Sequence, residues 1–449
     1  MDELRVLSPT AILGYGFPEE SFKRGLEENP HVIGVDGGSS DPGPYYLGAG
    51  VSFVNRQATK RDLSYILTAA IERKIPLIIG TAGGCGAEAH LNWTREIINE
   101  IAAENNLNFT LAVIKADISK ELILHKYREN AFVSITKGVN INEELLRKTS
   151  SFVAQMGTEP IISALDKANV ILAGRCYDPA VFAAVPIKMG YDKGLAIHMG
   201  KILECACIAA TPGSGSDCIM GYISKESFRV KPLNPERKCT QLSVAAHTLY
   251  EKSDPLKLPG PGGVLDLSDT HFKQIGDDTV EVSGSVYQAL PYTVKIEGAA
   301  QVGYRTISIA GIRDPIMISQ LPDIITAVKE RTRDNFGPNM PEHSLKLRCY
   351  GINGVMGELE PNRDFVPKEV GLVIDVVAHT QLEADSVCGF VRSTMLHYGY
   401  NGRIATAGNL AFPFSPSDFH GGEVYEFSIY HIMAVSNPYE LFKTDYFEV

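Results

Sequence analysis

The chain has 449 residues, 44% hydrophobic and 21% charged, an ordinary globular composition with room for more than one core. A formal net charge of −11 leaves no basic stripe to neutralise phosphates, which argues against a nucleic-acid partner. No run approaches the ~20 apolar residues of a membrane span, and "MDELRVLSPT" lacks the basic and apolar blocks of a secretory signal, so a cytoplasmic protein without membrane contact is expected.

In chain order, short apolar runs alternate with amphipathic segments through the first half, the pattern of a parallel sheet flanked by helices. Strands are predicted at "HVIGVD", "IPLIIG", "FTLAVIKAD", "AFVSITK" and "NVILAGR". Between them, "RDLSYILTAAIERK" puts Leu63, Ile66, Leu67, Ala70 and Ile71 on one helical face. "TREIINEIAAENN" does the same with Ile97, Ile98, Ile101 and Ala102. A further helix is predicted over "HMGKILECACIAA", where Cys205 and Cys207 would face different ways, against a metal pair. The small residues of "AATPGSGSD", 209–217, read as a linker, so an α/β domain is expected over 1–212 and an α+β domain over 213–449. In the latter, "GGVLDLSDTHFKQIGDDTVEVSGSVYQ" and "YTVKIEGAAQVGYRTISIAG" alternate as antiparallel strands do, with a turn at Gly276-Asp277. Helices should follow over about 322–335 and 382–397, the second carrying Leu382, Val387, Cys388, Val391 and Met395. The eight cysteines are scattered with no CxxC pair and read as buried cytosolic thiols.

Ligands of open parallel sheets bind at the carboxyl ends of strands, so the residues just past each predicted strand matter most. Those ends carry Asp36 and the loop "GGSSDPGPYYLGAG", the turn "GTAGGCGAEAH", Lys115 with Asp117, Lys137, and Gly174-Arg175 with Asp178. Asp36, Asp41, Lys115 and Asp117 are acid–base candidates, a lysine of lowered pKa being able to deprotonate a carbon acid. Ser39 and Ser40 supply hydroxyls, and Tyr45 and Tyr46 can wall off solvent. The amides of Gly83, Gly84 and Gly86 could cradle an anion, although a tight strand-to-helix turn would need the same glycines. Arg175 could fork a substrate carboxylate with Asp178 holding the guanidinium; a structural ion pair, or Asp178 capping a helix, reads equally well. Asp36, Asp41, Glu88 and His90 could instead ligate a divalent cation, while Glu88 alone also reads as a first-turn carboxylate. The pairs His198/Lys201 and His247/Glu251 read as surface or core features. "CYGINGVMGELEP" and "NGRIATAGNLAFPFSPSDF" have no assigned role. No GxSxG, HExxH, GxGxxG or phosphate-loop motif occurs.

The segments "VDGGSSDPGPYYLGAG", "IIGTAGGCG", "AGRCYDPAVFA", "HMGKILECACIA", "CTQLSVAAHTLYE", "SIAGIRDP" and "GRIATAGNLAFPFSPSDF" resemble, in this order, the acyclic terpene utilisation (AtuA-like) family over roughly residues 5–435. Ser39-Ser40 stands where that family is expected to carry Ser-Thr, so the hydroxyls are kept. The resemblance implies a catabolic enzyme acting on branched carboxylic acids or their CoA thioesters.

The expected function is therefore a lyase or isomerase, of hydro-lyase type, that abstracts a proton next to a carbonyl without a cofactor. Two alternatives stand beside it: a hydrolase of a lactone or thioester using a divalent metal ion, and a non-catalytic scaffold subunit. The expected partner is a small carboxylate or acyl-CoA, and the expected assembly a homo-oligomer.

Overall fold

The computed structural model describes residues 3–135, 141–250, 254–337, 344–362 and 364–449. They form two compact units, Met1–Ala300 with Phe427–Val449, and Gln301–Glu426. The chain begins β1 (Leu4–Ser8), α1 (Glu19–Glu27), β2 (Val32–Asp36), α2 (Pro44–Ala49), α3 (Arg56–Arg73), β3 (Leu77–Gly80), α4 (Glu88–Asn105) and β4 (Thr110–Ile114). It continues with α5 (Lys120–Arg128), β5 (Phe132–Ser134), α6 (Glu143–Lys148), β6 (Thr149–Ala154), α7 (Thr158–Ala164), β7 (Val170–Ala173), α8 (Ala180–Lys188) and α9 (Lys193–Leu203). Next come β8 (Ile219–Ile223), β9 (Ser227–Pro232), α10 (Gln241–Leu249), β10 (Lys257–Gly260), β11 (Gly263–Asp266), β12 (His271–Ile275), β13 (Thr279–Ser283), β14 (Val286–Ala289) and β15 (Thr293–Ile312). The rest is α11 (Pro315–Ser319), α12 (Leu321–Phe336), β16 (Ser344–Tyr350), β17 (Val370–Ala378), α13 (Gln381–Leu396), β18 (Asp418–Ala434) and β19 (Thr444–Glu448).

The first unit is an α/β fold on a ten-stranded sheet of order β12-β13-β9-β8-β1-β2-β3-β7-β4-β19. Strands β1, β2, β3, β7 and β4 run parallel, from Val6↔Val32 through Asp36↔Gly80 and Ile79↔Leu172 to Ile114↔Ala173. Both faces are covered, which is why these strands read as continuous apolar runs. On one face Leu63, Ile66 and Leu67 of α3 and Ile97, Ile98 and Ile101 of α4 pack on Ile33, Val35, Ile79 and Leu172. On the other, Val181 and Phe182 of α8 and Met199 of α9 pack with Val32, Ile78 and Ile171. Gly34 in β2 is required there, because a Cβ would lie 2.8 Å from the Phe182 ring. The start of α3 is fixed by Asn55, whose side chain accepts from the amides of Gln57 and Ala58.

Three expectations for the first unit differ from what is found. "AFVSITK" does not join the parallel sheet: β5 pairs antiparallel with β18, His431 opposite Ser134, and Val133 is 66% exposed. Lys137 lies outside the described residues. Cys205 and Cys207 lie beyond the end of α9, the latter in a short 3-10 turn, Ala206–Ala209. The stretch 209–217 is ordered: the Gly215 carbonyl accepts from Ala11 N at 2.9 Å and Thr10 Oγ1 at 3.0 Å, and β8 then joins the main sheet beside β1.

In the second unit β17 lies antiparallel between β15 and β16, with Tyr304↔Ala378 and Leu347↔Ile374 in register. Helices α12 and α13 cover one face of these strands, burying Ile324, Val328, Val387, Val391 and Met395 against Ile312, Leu372, Ile374 and Val376. Leu382, expected on that buried face, is exposed. β15 and β18 supply residues to both units.

Candidate active site

Adjacent strands β3 and β7 send their following helices, α4 and α8, to opposite faces of the sheet. Such a divergence opens a crevice beyond the strand ends. Asp36, the last residue of β2, lies one strand over, and the Gly37 amide ties its loop to the Gly80 carbonyl at 2.8 Å. Asp36 is 5% exposed, and its Oδ1 is buried with no hydrogen-bond partner among the described residues. Burial pushes its carboxyl well above the usual carboxylate range, and the negative charge of Asp178 adds to this. Arg175 and the amides of Gly38 and Gly37 pull the other way.

The loops after β3 and β7 interlock. Arg175 N donates to the Gly86 carbonyl at 3.1 Å, and a Cβ on Gly86, whose φ is +68°, would lie 2.1 Å from that nitrogen. Arg175, 1% exposed, is the largest fully buried side chain. Its Nη1 donates to Asp178 Oδ1 at 2.9 Å and to the Cys176 carbonyl at 2.8 Å. Its Nε donates to Glu297 Oε2 at 2.9 Å, and its Nη2 to Glu297 Oε1 at 3.5 Å. Glu297, on the first part of β15, is fully buried and also receives Lys295 Nζ on Oε1 at 2.6 Å. Lys295, 16% exposed, donates a second hydrogen bond to Tyr430 Oη at 3.0 Å.

Backbone pairing explains how residues so far apart in sequence meet. Gln155 N donates to the Lys295 carbonyl at 2.8 Å, Met156 N to the Arg175 carbonyl at 3.1 Å, and Tyr177 N to the Met156 carbonyl at 2.8 Å. The segment 155–156 thus has β15 on one side and the Arg175–Asp178 turn on the other. Asp178 is the partly open member of the group, its side chain 28% exposed. Burial pushes its carboxyl up, against the pull of Arg175 and Lys295. Burial likewise opposes ionisation of Glu297, but Arg175 and Lys295 outweigh it and hold this carboxyl at about 2. For Lys295 burial works against the charge, and Glu297 overcomes it.

The sequence candidates divide accordingly. Asp36, Arg175 and Asp178 converge, and Asp41, exposed beside Ser39, is close enough for its charge to raise Asp178. Ser40, on the same loop, is buried, and its Oγ has no hydrogen-bond partner among the described residues. The expected carboxylate fork is not presented: the Arg175 guanidinium is buried and engaged with Glu297, Asp178, Thr81 and the main chain. The expected glycine cradle is packed against protein instead, with His90 2.9 Å from a Gly83 Cβ and the Phe53 ring 2.3 Å from a Gly84 Cβ. Lys115 stands at the surface between Glu88 and Asp445, at 3.1 and 3.6 Å. Its hydrogen bond to Glu88 raises its pKa, the opposite of what a lysine base needs. Asp117 lies beside it, its carboxylate receiving the Glu88 amide at the start of α4; burial lifts it to about 6.

The residues proposed for a metal do not fit one. His90 is buried, with Nε2 donating to the Val51 carbonyl at 3.1 Å, and Glu88 is paired with Lys115. Among the described residues no group of three or more His, Cys, Asp or Glu could hold a metal ion. His198 is a core residue, bonded to Ser285 Oγ at 2.7 Å and Thr248 Oγ1 at 3.0 Å; His247 is buried, and Glu251 lies outside the described residues. Tyr45 and Tyr46 meet edge to face at 5.4 Å, and Tyr46 meets Phe53 at 5.7 Å.

Glu297, Lys295 and Tyr430 were missed from the sequence. The available signal was the spacing of Lys295 and Glu297, two apart on a strand and so on one face, within the apolar "VKIEGAA".

A buried carboxyl, Asp36, and the Arg175–Asp178 ion pair at the strand ends place a polar cluster at a switch point of the sheet of an α/β protein. The family model described as acyclic terpene utilisation family protein AtuA matches residues 55–217 and 229–413, and the chain belongs to that family. No curated protein and no solved structure matches it. Among the described residues no helix is long and apolar enough to cross a membrane.

Proposed function

We propose that this protein is an acid–base enzyme, a lyase of hydro-lyase type or an isomerase, acting on a small or branched carboxylic acid or its CoA thioester. One observation carries the proposal: Asp36, a buried carboxyl with an unpartnered oxygen, sits beside a second carboxyl, Asp178, that is partly open and held by a buried arginine. The charges of the cluster support it. Arg175 and Lys295 balance Glu297 and Asp178, so an ionised Asp36 would be a third negative charge without a cation bonded to it. A buried carboxyl so placed keeps its proton.

Two carboxyls with different protonation states divide the labour of an elimination. Asp178 takes a proton from the carbon next to the carbonyl, and the released electron pair moves onto the carbonyl oxygen. When the carbonyl re-forms, the pair becomes a carbon–carbon double bond, and Asp36 gives its proton to the departing hydroxyl, which leaves as water. In an isomerisation the proton goes to another carbon instead. This chemistry calls for no cofactor. Membership of a family described by acyclic terpene utilisation supports a branched substrate.

The test is exchange of solvent deuterium into the carbon next to the carbonyl, followed by NMR across straight- and branched-chain acyl-CoA thioesters and 3-hydroxy acids. Wild-type protein should exchange at least one member, and Asp178→Asn should lose the exchange by at least about 10²-fold. Unchanged exchange in Asp178→Asn refutes the assignment.

A further inference from the structure

Removing a proton next to a carbonyl places negative charge on the carbonyl oxygen, and an enzyme gains most by aiming fixed donors at that atom. In the proposed reaction the Asp36 proton goes to the departing hydroxyl, and the neighbouring Arg175 guanidinium is engaged and buried, so neither serves that oxygen. Donors do stand on the far side of Glu297. A lysine ammonium has three N–H groups. Lys295 commits one to Glu297 Oε1 at 2.6 Å and one to Tyr430 Oη at 3.0 Å, which leaves the third without a hydrogen-bond partner among the described residues. The Tyr430 hydroxyl accepts from Lys295 and keeps its own proton to donate.

Both groups are held in place. Glu297 is fully buried and pinned by Arg175, so the Lys295 ammonium cannot swing away without leaving a buried carboxylate short of a partner. Tyr430 is half-buried, with the Lys295 ammonium 4.5 Å from its ring centre and the Phe427 ring 5.3 Å away. Lys295 and the turn that carries Asp178 flank the same two residues: Gln155 N donates to the Lys295 carbonyl, Met156 N to the Arg175 carbonyl, and Tyr177 N to the Met156 carbonyl. The proposed base and these donors therefore sit across one short segment from each other.

We propose that Lys295 Nζ and Tyr430 Oη form an oxyanion hole, donating to the carbonyl oxygen of the bound carboxylic acid or thioester as it becomes an enolate. The inference rests on the acid–base function proposed above. Glu297 and Arg175 are then positioning residues that fix the ammonium. Lys295 supplies the full charge, and Tyr430 a second, neutral donor 3.0 Å from it.

Tyr430→Phe tests this with least disturbance, since it deletes one hydroxyl and keeps the ring under the lysine. The deuterium-exchange rate on the most reactive acyl-CoA should fall about 10²–10³-fold, the usual loss for one oxyanion-hole donor, while the thioester Kd changes by less than about threefold. Lys295→Arg keeps the charge on Glu297 but displaces the donors; it should unfold near the wild-type temperature and lose exchange to a similar degree. If Asp178→Asn abolishes exchange but Tyr430→Phe retains rates within about threefold of wild type, the oxyanion hole is overturned and the acid–base assignment stands. Loss of binding in Tyr430→Phe without a fall in rate also overturns it, since the tyrosine would then only hold substrate. Absence of exchange by wild-type protein across the whole panel overturns both.

Discussion

Replacing Glu297 with Gln removes the one buried anion that binds both cations of the cluster. The carboxylate is fully buried and receives Arg175 Nε at 2.9 Å and Lys295 Nζ at 2.6 Å. Its pKa is held at about 2 in the fold, against ~4.3 for a free glutamate, which corresponds to about 3 kcal/mol of stability at neutral pH. Breaking a buried ion pair by neutralising one partner costs about 3–5 kcal/mol by general experience, so the two routes agree. The folded pKa is depressed, so this contribution is complete above ~4.3 and is lost as the pH falls towards 2. The assay is guanidinium unfolding followed through the chain's one tryptophan, Trp93, which lies in α4 of the same unit. Wild type and Glu297→Gln should differ by about 3 kcal/mol at about pH 7, and the gap should begin to close below about pH 4. Adding Lys295→Met to Glu297→Gln should cost less than the sum of the single changes, because the two groups share one interaction. A gap under about 1 kcal/mol at neutral pH, or one independent of pH, would refute the account of this network.

Three other outcomes are expected. Asp117 has a raised folded pKa of about 6, so its fold binds a proton that the unfolded chain has already released; stability falls as the pH rises from ~4 towards 6 and is then level. Asp117→Asn should flatten that slope, which thermal midpoints at pH 4.5, 5.5 and 6.5 would show, and an unchanged slope would count against it. Gly86→Ala should cost far more than Gly276→Ala, because a Cβ at 86 meets Arg175 N at 2.1 Å whereas at 276 nothing lies within 4 Å. Both glycines have positive φ, so Gly276→Ala carries only the backbone strain, about 1 kcal/mol, and comparable unfolding midpoints for the two variants would contradict the packing argument. All eight cysteines are free and all but Cys205 are buried, and burial pushes the Cys85, Cys176, Cys239 and Cys388 thiols up to about 12. A disulfide reagent at pH 8 should therefore titrate at most one thiol in the native protein and all eight in denaturant.

The parallel core was legible because a sheet covered on both faces leaves unbroken apolar strands, and β2, β3, β4 and β7 carry that mark. The same mark misplaced β5, since an apolar run does not say which sheet it joins, and Val133 is exposed. The small residues around Gly215 looked like a linker, but smallness there also allows the backbone to dock on Ala11 and Thr10. Within the site, Asp36, Arg175 and Asp178 could be found by reading strand ends, a local rule. Lys295 and Glu297 lie on a strand of another sheet, with Glu297 122 residues from the arginine it binds. No local rule reaches that far. Sequence reasoning left Arg175 open between a substrate carboxylate and a structural ion pair with Asp178; the further anion it meets is the protein's own Glu297.

The central claim is that Asp36 keeps its proton at neutral pH beside Asp178. Infrared spectroscopy of the wild-type protein at pH 7, compared with Asp36→Asn, tests it most directly through the carbonyl stretch of a protonated carboxyl. A band present in wild type and missing from Asp36→Asn is the predicted result. A wild-type spectrum without the band, or a band that survives the substitution, would contradict the claim.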